Sequence, residues 1–288
     1  MKFGIMFANA GPAAQPEHAV ALAQLAEEAG FESLWTVEHV VVPVGYESQY
    51  PYSRDGRMPG GEEVPIPDPL VWLTYVGAHT TRIKLATGIL ILPQRNPVVV
   101  AKEVATFDVL TSGRAILGVG VGWLKEEFDV IGVPFEERAA RTDDAIAALR
   151  ALWAPGAASY EGRYTSFGPV HSLPKPAQAG GVPIVVGGHS EAAARRAGRL
   201  GDGFFPARGD LDSLPGLFDA MRKAAVDAGR DPDAIEITAG GAMDVEGAKR
   251  YADLGVDRLV VPPLGFDVET LRTQLADFGE RVIAPLQG

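Results

Sequence analysis

The 288-residue chain reads as an α/β protein, a (β/α)8 TIM barrel with insertions at its C-terminal mouth, on three observations. Short β-rich apolar runs alternate with helix-period segments almost from end to end, the pattern of parallel strands joined by crossover helices. Eight such units can be counted. The junctions "EEAGFESLW", "GRLGDGFFP" and "ADLGVDRLV" each end a helix at a glycine and enter a strand a few residues later; glycine there permits the left-handed helix-ending conformation. An open doubly wound sheet is the alternative that such alternation also allows.

The first-half strands are Lys2 to Ala8, Ser33 to His39, Ile83 to Leu92 and Ala115 to Val121. The second half supplies Pro183 to Gly187, Gly203 to Ala207, Ile235 to Ala239 and Arg258 to Pro262. Two stretches interrupt the rhythm. Residues from about 40 to 67 are rich in Pro, Gly and Tyr with no helical period, and a long loop following a strand predicts a lid. Residues from about 154 to 181 predict a small hairpin plus linker, a second insertion that follows a helix rather than a strand. The whole, residues 1–288, is expected to be a single barrel domain.

Composition narrows the function classes. A hydrophobic fraction of 47% with 22% charged residues suits a globular protein with a sizeable core. A net charge of −11 works against binding a polyphosphate backbone, so no nucleic-acid partner is expected. With no cysteine, disulfides, thiolate nucleophiles and Cys-bound metals drop out, and redox chemistry must come from a bound cofactor. No apolar run reaches the length of a signal or membrane segment; a cytoplasmic protein without a membrane partner is expected.

Four stretches could carry chemistry. In "IVVGGHSEAAARRAG" a strand ends in Gly187 and Gly188, and a helix starts at Ser190. Bare backbone at a helix N-terminus can bind an anion, while Ser190 with Glu191 also makes an ordinary helix start. Both readings stand on the residues alone, and the position after a late barrel strand favours phosphate. Glu38 and His39 close the second strand in "LWTVEHVVVP". A histidine there can exchange protons near neutral pH, with a neighbouring carboxylate setting its tautomer. Gly88, in "LATGILILPQRNP", marks a bulge, a close ligand approach or a barrel-corner kink.

In the fourth stretch, "LGVGVGWLKEEF", the spacing G-x-G-x-G lacks the context of a dinucleotide fingerprint. Alternate glycines would instead leave one strand face flat for a planar ring, with Trp123 as an apolar wall. Glu126 and Glu127 read as solvated helix-start charges. Asp108 and Arg114 flank a turn at the N-terminal, stability face of the barrel and read as a structural salt bridge. His18, His79 and His171 have no metal-ligand spacing with acidic partners, so no metal site is expected. A Schiff-base aldolase would need a lysine at a strand's C-terminal end, and Lys84 begins its strand.

These stretches, with "TRIKLATGILILPQRNPVVVAKEVATFDVLTSGR", "GVPFEERAARTDDAI" and "LGDGFFP", make the chain similar to the luciferase-like monooxygenase superfamily, within it the coenzyme F420-dependent oxidoreductase branch, to about residue 210. The resemblance implies a flavin or deazaflavin at the mouth of a barrel with insertions. It implies a non-prolyl cis peptide at Gly88-Ile89 supporting the middle ring, with Thr87, Gly88 and Ile89 at the cofactor. It places the cofactor phosphate at Gly187, Gly188, His189 and Ser190, and Val121, Gly122 and Trp123 along the same channel. Glu38 and His39 match an acidic-His pair at the reactive face, where related deazaflavin enzymes usually carry Asp in place of Glu38; His39 would exchange the proton, assisted by Glu38. The expected activity is hydride transfer between coenzyme F420 and a small organic substrate. The alternative is an FMN-dependent monooxygenase using reduced flavin and oxygen. Relatives are often dimers, so a homodimer is expected.

Overall fold

Parallel pairing runs without a break around the computed structural model, which describes residues 1–206 and 210–286. In chain order the strands are β1 (Lys2–Met6), β2 (Ser33–Thr36), β3 (Lys84–Thr87), β4 (Leu90–Ile91) and β5 (Ala115–Gly120). An antiparallel hairpin, β6 (Ala158–Glu161) and β7 (Ser166–Val170), stands apart from the main sheet. β8 (Ile184–Gly187), β9 (Gly203–Phe205), β10 (Glu236–Gly240) and β11 (Arg258–Val261) complete the set. β1 pairs with β11 and β2, β3 pairs with β2 and β5, and β5 pairs with β8, so the sheet closes. Because β4 resumes the course of β3 beside β5, the ring has eight strand positions. The sheet is a closed (β/α)8 barrel, and the open-sheet alternative is excluded.

The helices between strands are α1 (Pro16–Glu28), α2 (Pro69–Gly77), α3 (Pro97–Leu110), α4 (Lys125–Ile131), α5 (Arg138–Trp153), α6 (Glu191–Leu200), α7 (Leu214–Asp227), α8 (Val245–Asp253) and α9 (Val268–Phe278). Their starts are written locally. Asp68 and Asn96 each accept two backbone N–H bonds just ahead of a proline at the first helical position, where the missing proline N–H costs nothing. Ser190, Asp244 and Asp267 cap α6, α8 and α9, each accepting one backbone N–H from the first turn. In α1 the buried residues Ala19, Leu22, Ala23 and Ala26 recur at helical spacing, which turns one stripe onto the barrel. Among the described residues no helix is long and apolar enough to cross a membrane.

Of the three glycine junctions, Gly30 (φ +88°) and Gly255 (φ +86°) take the left-handed conformation. Gly201 does not; its φ is −87°. A Cβ at Gly201 would meet the carbonyl oxygens of Gly203 and Ala197 at 2.8 and 3.1 Å. Close backbone approach, not handedness, requires glycine there. Several strands also stop earlier than expected. β1 ends at Met6 because Phe7 turns to φ +60°. β2 ends at Thr36, after which Val37 bonds to the Asn9 side chain instead of a strand. The third strand divides at a cis Gly88-Ile89 peptide. β5 and β9 end at Gly120 and Phe205, leaving Val121 outside, and the expected Ala207 lies outside the described residues.

Inside the barrel, Trp35, Ala86, Ile116, Val185, Phe205 and Val260 pack together with Met6. The Trp35 and Phe205 rings meet edge to face at 5.4 Å. Below them Arg258 is buried with Glu32, Glu236 and Thr238 as hydrogen-bond partners, and its guanidinium lies 5.4 Å from the Trp35 ring centroid. The floor is thus apolar toward the mouth and ionic toward the base.

At the base, the expected Asp108–Arg114 salt bridge is not formed. Asp108 accepts from Gln178 Nε2 at 2.8 Å and from the Gln178 amide at 3.0 Å. Arg114 donates to Thr111 O, Thr80 Oγ1 and Gly77 O. Both residues are structural, but each ties β5 to a different neighbour. Asp108 holds the segment that leads from the hairpin into β8, a link invisible in local sequence.

Candidate active site

The segment joining β2 to α2 is irregular and held at several points. Asn9, fully buried, donates from Nδ2 to Val37 O and Pro67 O, both at 2.9 Å, and accepts from Val37 N at 2.8 Å. One side chain therefore closes the two ends of a thirty-residue excursion of the chain, roughly, onto the rim of β1. Its middle is held by two glutamates at the start of α4. Glu126 Oε1 accepts from Glu47 N and Ser48 N at 2.8 and 3.0 Å. Glu127 Oε1 accepts from Val40 N at 2.6 Å and Val41 N at 3.3 Å.

The second Glu127 oxygen, Oε2, lies 3.0 Å from His39 Nδ1. The carboxylate partner of His39 is thus Glu127 and not its chain neighbour Glu38. Glu127 is fully buried, contrary to its reading as a solvated charge. A signal for this was present: Leu124, Glu127 and Phe128 share the buried stripe of α4, and a carboxylate on an apolar stripe asks for a specific partner. Glu126 is also engaged; against the opposing effect of burial, the Ser48 hydroxyl and the loop amides pull its carboxyl down to about 2.

Glu38 turns the other way. It accepts from the Ile91 amide and from Arg95, whose Nε lies 3.0 Å from Oε1. Arg95 reaches on to Asp68 Oδ2 at 2.7 Å. Burial pushes the Glu38 carboxyl up, with Arg95 and the Ile91 amide opposing. Burial works against the Arg95 charge, but Glu38 and Asp68 outweigh it and push the guanidinium up. This cluster bolts β2, the segment after the cis peptide and the start of α2 together. It gives Glu38 a positioning geometry instead of one that assists His39.

Aromatic rings surround the histidine. Trp123 meets His39, Tyr46 and Tyr50 edge to face at 5.6, 5.5 and 5.2 Å. Tyr46 is buried, and its hydroxyl accepts from Met58 N. Burial, then neighbouring Tyr52, pushes the Tyr50 hydroxyl up to about 12. The long segment thus delivers two tyrosines to the wall that Trp123 alone was expected to supply.

The glycines of β5 serve the neighbouring strand. A Cβ at Gly118 would collide with the Thr87 carbonyl oxygen, and one at Gly120 would meet Ile89 Cδ1 at 2.6 Å. Thr87 is buried and donates from Oγ1 to Gly118 O at 2.6 Å. The glycine face expected to lie bare for a ring is covered by Ile89, whose Cγ2 also lies 2.5 Å from the Cβ position of Gly187. Gly122, at φ +80°, turns the chain where a Cβ would strike Phe128 and Ile91. Half-buried Ile89 therefore spans from β5 to the start of the "GGHS" segment.

In that segment the Gly188 amide is committed to Phe205 O at 3.1 Å, and Gly188 takes φ +129°. His189 Nε2 lies 3.1 Å from Ser213 Oγ. Ser190 caps α6, its Oγ accepting from Ala193 N at 3.2 Å. The amides of Ser190, Glu191 and Ala192 have no intramolecular partner among the described residues, and such first-turn donors suit an anion. Two surface clefts, of about 500 and about 370 Å3, include none of the expected site residues.

The residues singled out in the sequence are therefore joined through contacts: His39 to Trp123, Glu38 to Ile91, and Ile89 to Gly120 and Gly187. Asn9, Arg95, Glu127, Tyr46 and Tyr50 join the mouth without having been expected there.

Comparison with known proteins bears on the family and the fold. An uncharacterised protein of Mycobacterium tuberculosis is 33% identical over 274 residues, covering 92% of this chain and 94% of that protein. An F420-dependent glucose-6-phosphate dehydrogenase of Nocardia farcinica is 35% identical over 230 residues, 77% of this chain and 62% of that enzyme. Among solved structures, the monooxygenase RslO1 of Streptomyces bottropensis superposes with a TM-score of 0.77 at 24% identity, over 99% of this chain and 100% of that one. The coenzyme F420-dependent tetrahydromethanopterin reductase of Methanopyrus kandleri gives 0.77 at 20% identity, over 99% of both chains. At these identities the two structures bear on the fold. The family described as luciferase-like monooxygenase matches residues 1–246, beyond the limit near residue 210 expected from the motifs. With the closed barrel and the site at its C-terminal mouth, this match makes the chain a member of the luciferase-like monooxygenase family and an oxidoreductase.

Proposed function

We propose that this protein is a coenzyme F420-dependent oxidoreductase that moves a hydride between the deazaflavin and a small organic substrate. The observation that carries the reading is the half-buried Ile89 side chain lying between Gly120 of β5 and Gly187, beside a helix start whose Ser190, Glu191 and Ala192 amides have no intramolecular partner among the described residues. Together with the His39–Trp123 contact, this supports an apolar ledge for a flat ring system and donors for a phosphate. The F420-dependent relative from Nocardia farcinica supports the choice of deazaflavin.

Ile89 and Trp123 would bear on the ring, while Gly187, Gly188, His189 and Ser190 would hold the phosphate, with Thr87 and Gly88 shaping the ledge and Val121 and Gly122 the turn into its wall. When bound, the deazaflavin supplies the hydride donor or acceptor, and the protein aligns it and excludes water. His39 would take or give the accompanying proton at Nε2. The Glu38–Arg95–Asp68 cluster, buried at Glu38 and open to solvent at Asp68, would keep the rim of the ledge in register. Tyr46 and Tyr50, carried on the segment of residues 40–67, would close the substrate side as a lid.

FMN carries the same two elements, a tricyclic ring and a phosphate, and the family description keeps the monooxygenase reading in view. The test is titration of the purified protein with coenzyme F420 and with FMN, following cofactor fluorescence. Saturable quenching of F420 with weaker or no response to FMN is expected. Tight FMN binding with no F420 binding would overturn the proposal.

A further inference from the structure

We infer that Glu127 is the positioning residue for His39: one buried carboxylate fixes which imidazole nitrogen exchanges protons and ties that choice to the placement of the loop after β2. The inference deepens the proposed function, on which its use in hydride chemistry rests.

A carboxylate facing a hydrogen bond can only accept. Oε1 of Glu127 is already engaged by two donors, Val40 N and Val41 N. Those bonds anchor the carboxylate at its loop side and leave Oε2 against His39 Nδ1 at 3.0 Å. In neutral His39 the proton must then sit on Nδ1, because two acceptors would otherwise face each other in a buried place. The side chains of both residues are largely shielded from water, at 7% exposure for His39 and 0% for Glu127, so solvent does little to blur the preference.

Nε2 carries no hydrogen bond from any described residue. Neutral His39 therefore presents a lone pair at Nε2 and would accept the proton that accompanies hydride loss from a bound substrate. With the deazaflavin of the proposed function bound, the cofactor would take the two electrons and Nε2 the proton. In reverse, protonated His39 returns the proton from Nε2 while Nδ1–H stays on Glu127. The edge of the Trp123 ring against the imidazole restricts its rotation. Because His39, Val40 and Val41 are consecutive, displacing the loop withdraws the same carboxylate that orients the base.

Glu127→Gln discriminates sharply. Its carbonyl oxygen can keep the Val40 and Val41 donors, which leaves the amide NH2 facing Nδ1. That group donates, so the His39 proton should move to Nε2. The experiment is NMR of cofactor-free protein with 13C,15N-labelled histidine, followed upward in pH until the ring 15N shifts of His39 stop changing and report the neutral ring. His39 signals are assigned by their loss in His39→Ala.

Wild-type protein is expected to show the Nδ1–H tautomer and Glu127→Gln predominantly Nε2–H. Glu126→Gln, which touches only the Glu47 and Ser48 end of the loop, is expected to leave Nδ1–H in place. An Nε2–H tautomer in the wild type overturns the inference, even if the variant fails to fold. An unchanged tautomer in a folded Glu127→Gln, or an inverted one in Glu126→Gln, overturns it as well. No cofactor is used, so this result stands apart from the F420 titration that tests the proposed function.

Discussion

Glu38 and His39 are adjacent in the chain, yet their side chains serve different partners: Glu38 is bonded to Arg95 and the Ile91 amide, while His39 faces Glu127. Neither residue lies within a strand, because β2 ends at Thr36, and each side chain is held by the partner it meets. Glu38 is buried, and removing it leaves Arg95 with Asp68 as its remaining carboxylate partner and the Ile91 amide without its acceptor. Glu38→Ala should cost about 1–3 kcal/mol, the usual penalty for unmaking buried hydrogen bonds. Urea unfolding followed by circular dichroism checks it; a midpoint equal to the wild type would show that Arg95 is satisfied by Asp68 alone.

Ser190 serves α6 as a cap and is proposed to serve a phosphate, and two substitutions separate these uses. Ser190→Ala removes the acceptor for Ala193 N and should lower stability by about 1 kcal/mol. Ser190→Asp retains a capping oxygen, so thermal stability should stay close to wild type. Its charge at the same place should nevertheless weaken F420 binding at least ~10-fold, equivalent to ~1.4 kcal/mol. Equal affinity for wild type and Ser190→Asp would reduce Ser190 to a cap.

The glycines of β5 should tolerate alanine unequally. At Gly118 the obstacle is a backbone carbonyl, that of Thr87, which cannot swing aside, and Gly118→Ala should yield little folded protein. At Gly120 the obstacle is the end of the Ile89 side chain. Gly120→Ala should cost about 1–3 kcal/mol, as overpacking does, and much of that should return in Gly120→Ala/Ile89→Ala. A denaturant series on the wild type, Gly120→Ala, Ile89→Ala and the double variant tests the coupling, and strict additivity would mean that Ile89 does not rest on Gly120.

Acid should destabilise the fold through several carboxylates held below their ordinary range. Glu27 is lowered, against burial, by the amides of Ile83, Arg82 and Thr81 and by the Thr81 hydroxyl; Glu236 is lowered, against burial, by Arg258 and Lys2. Asp68 is lowered by Arg95 and the first amides of α2, again against burial. For such groups the folded value lies below the unfolded one, so their stabilisation is complete above the unfolded value of 4.5 for Glu and 3.8 for Asp. It is lost as pH falls toward and through the folded values. The melting temperature should therefore vary little from neutrality to about pH 5 and drop below that. Glu27→Gln should flatten the drop; an unaltered profile would assign acid sensitivity elsewhere.

Much of the barrel was legible because strand and helix starts are local chemistry. Asp68-Pro69 and Asn96-Pro97 announce helices, and the eight apolar runs each became a barrel position. What failed were boundaries and pairings that depend on contacts made far along the chain. The third strand breaks where Thr87 meets Gly118, and Gly201 is a glycine because Gly203 and Ala197 approach it. The Asp108–Arg114 pair does not form because Asp108 is engaged by Gln178, seventy positions away, and Arg114 by Thr111, Thr80 and Gly77.

The same division holds at the site. The residue types and their places at strand ends announced a cofactor barrel: His39 after β2, Gly88 in the third strand, and Gly187 to Ser190 before a helix. Those signals are local, since alternation, caps and bare backbone act within a few residues. Only the tertiary structure decided that Glu127, 88 positions from His39, is the histidine's partner, that Glu38 belongs to Arg95, and that Ile89 rests on Gly120 and Gly187. A buried charge selects its partner by proximity and desolvation, and proximity between distant residues exists only once the barrel has closed.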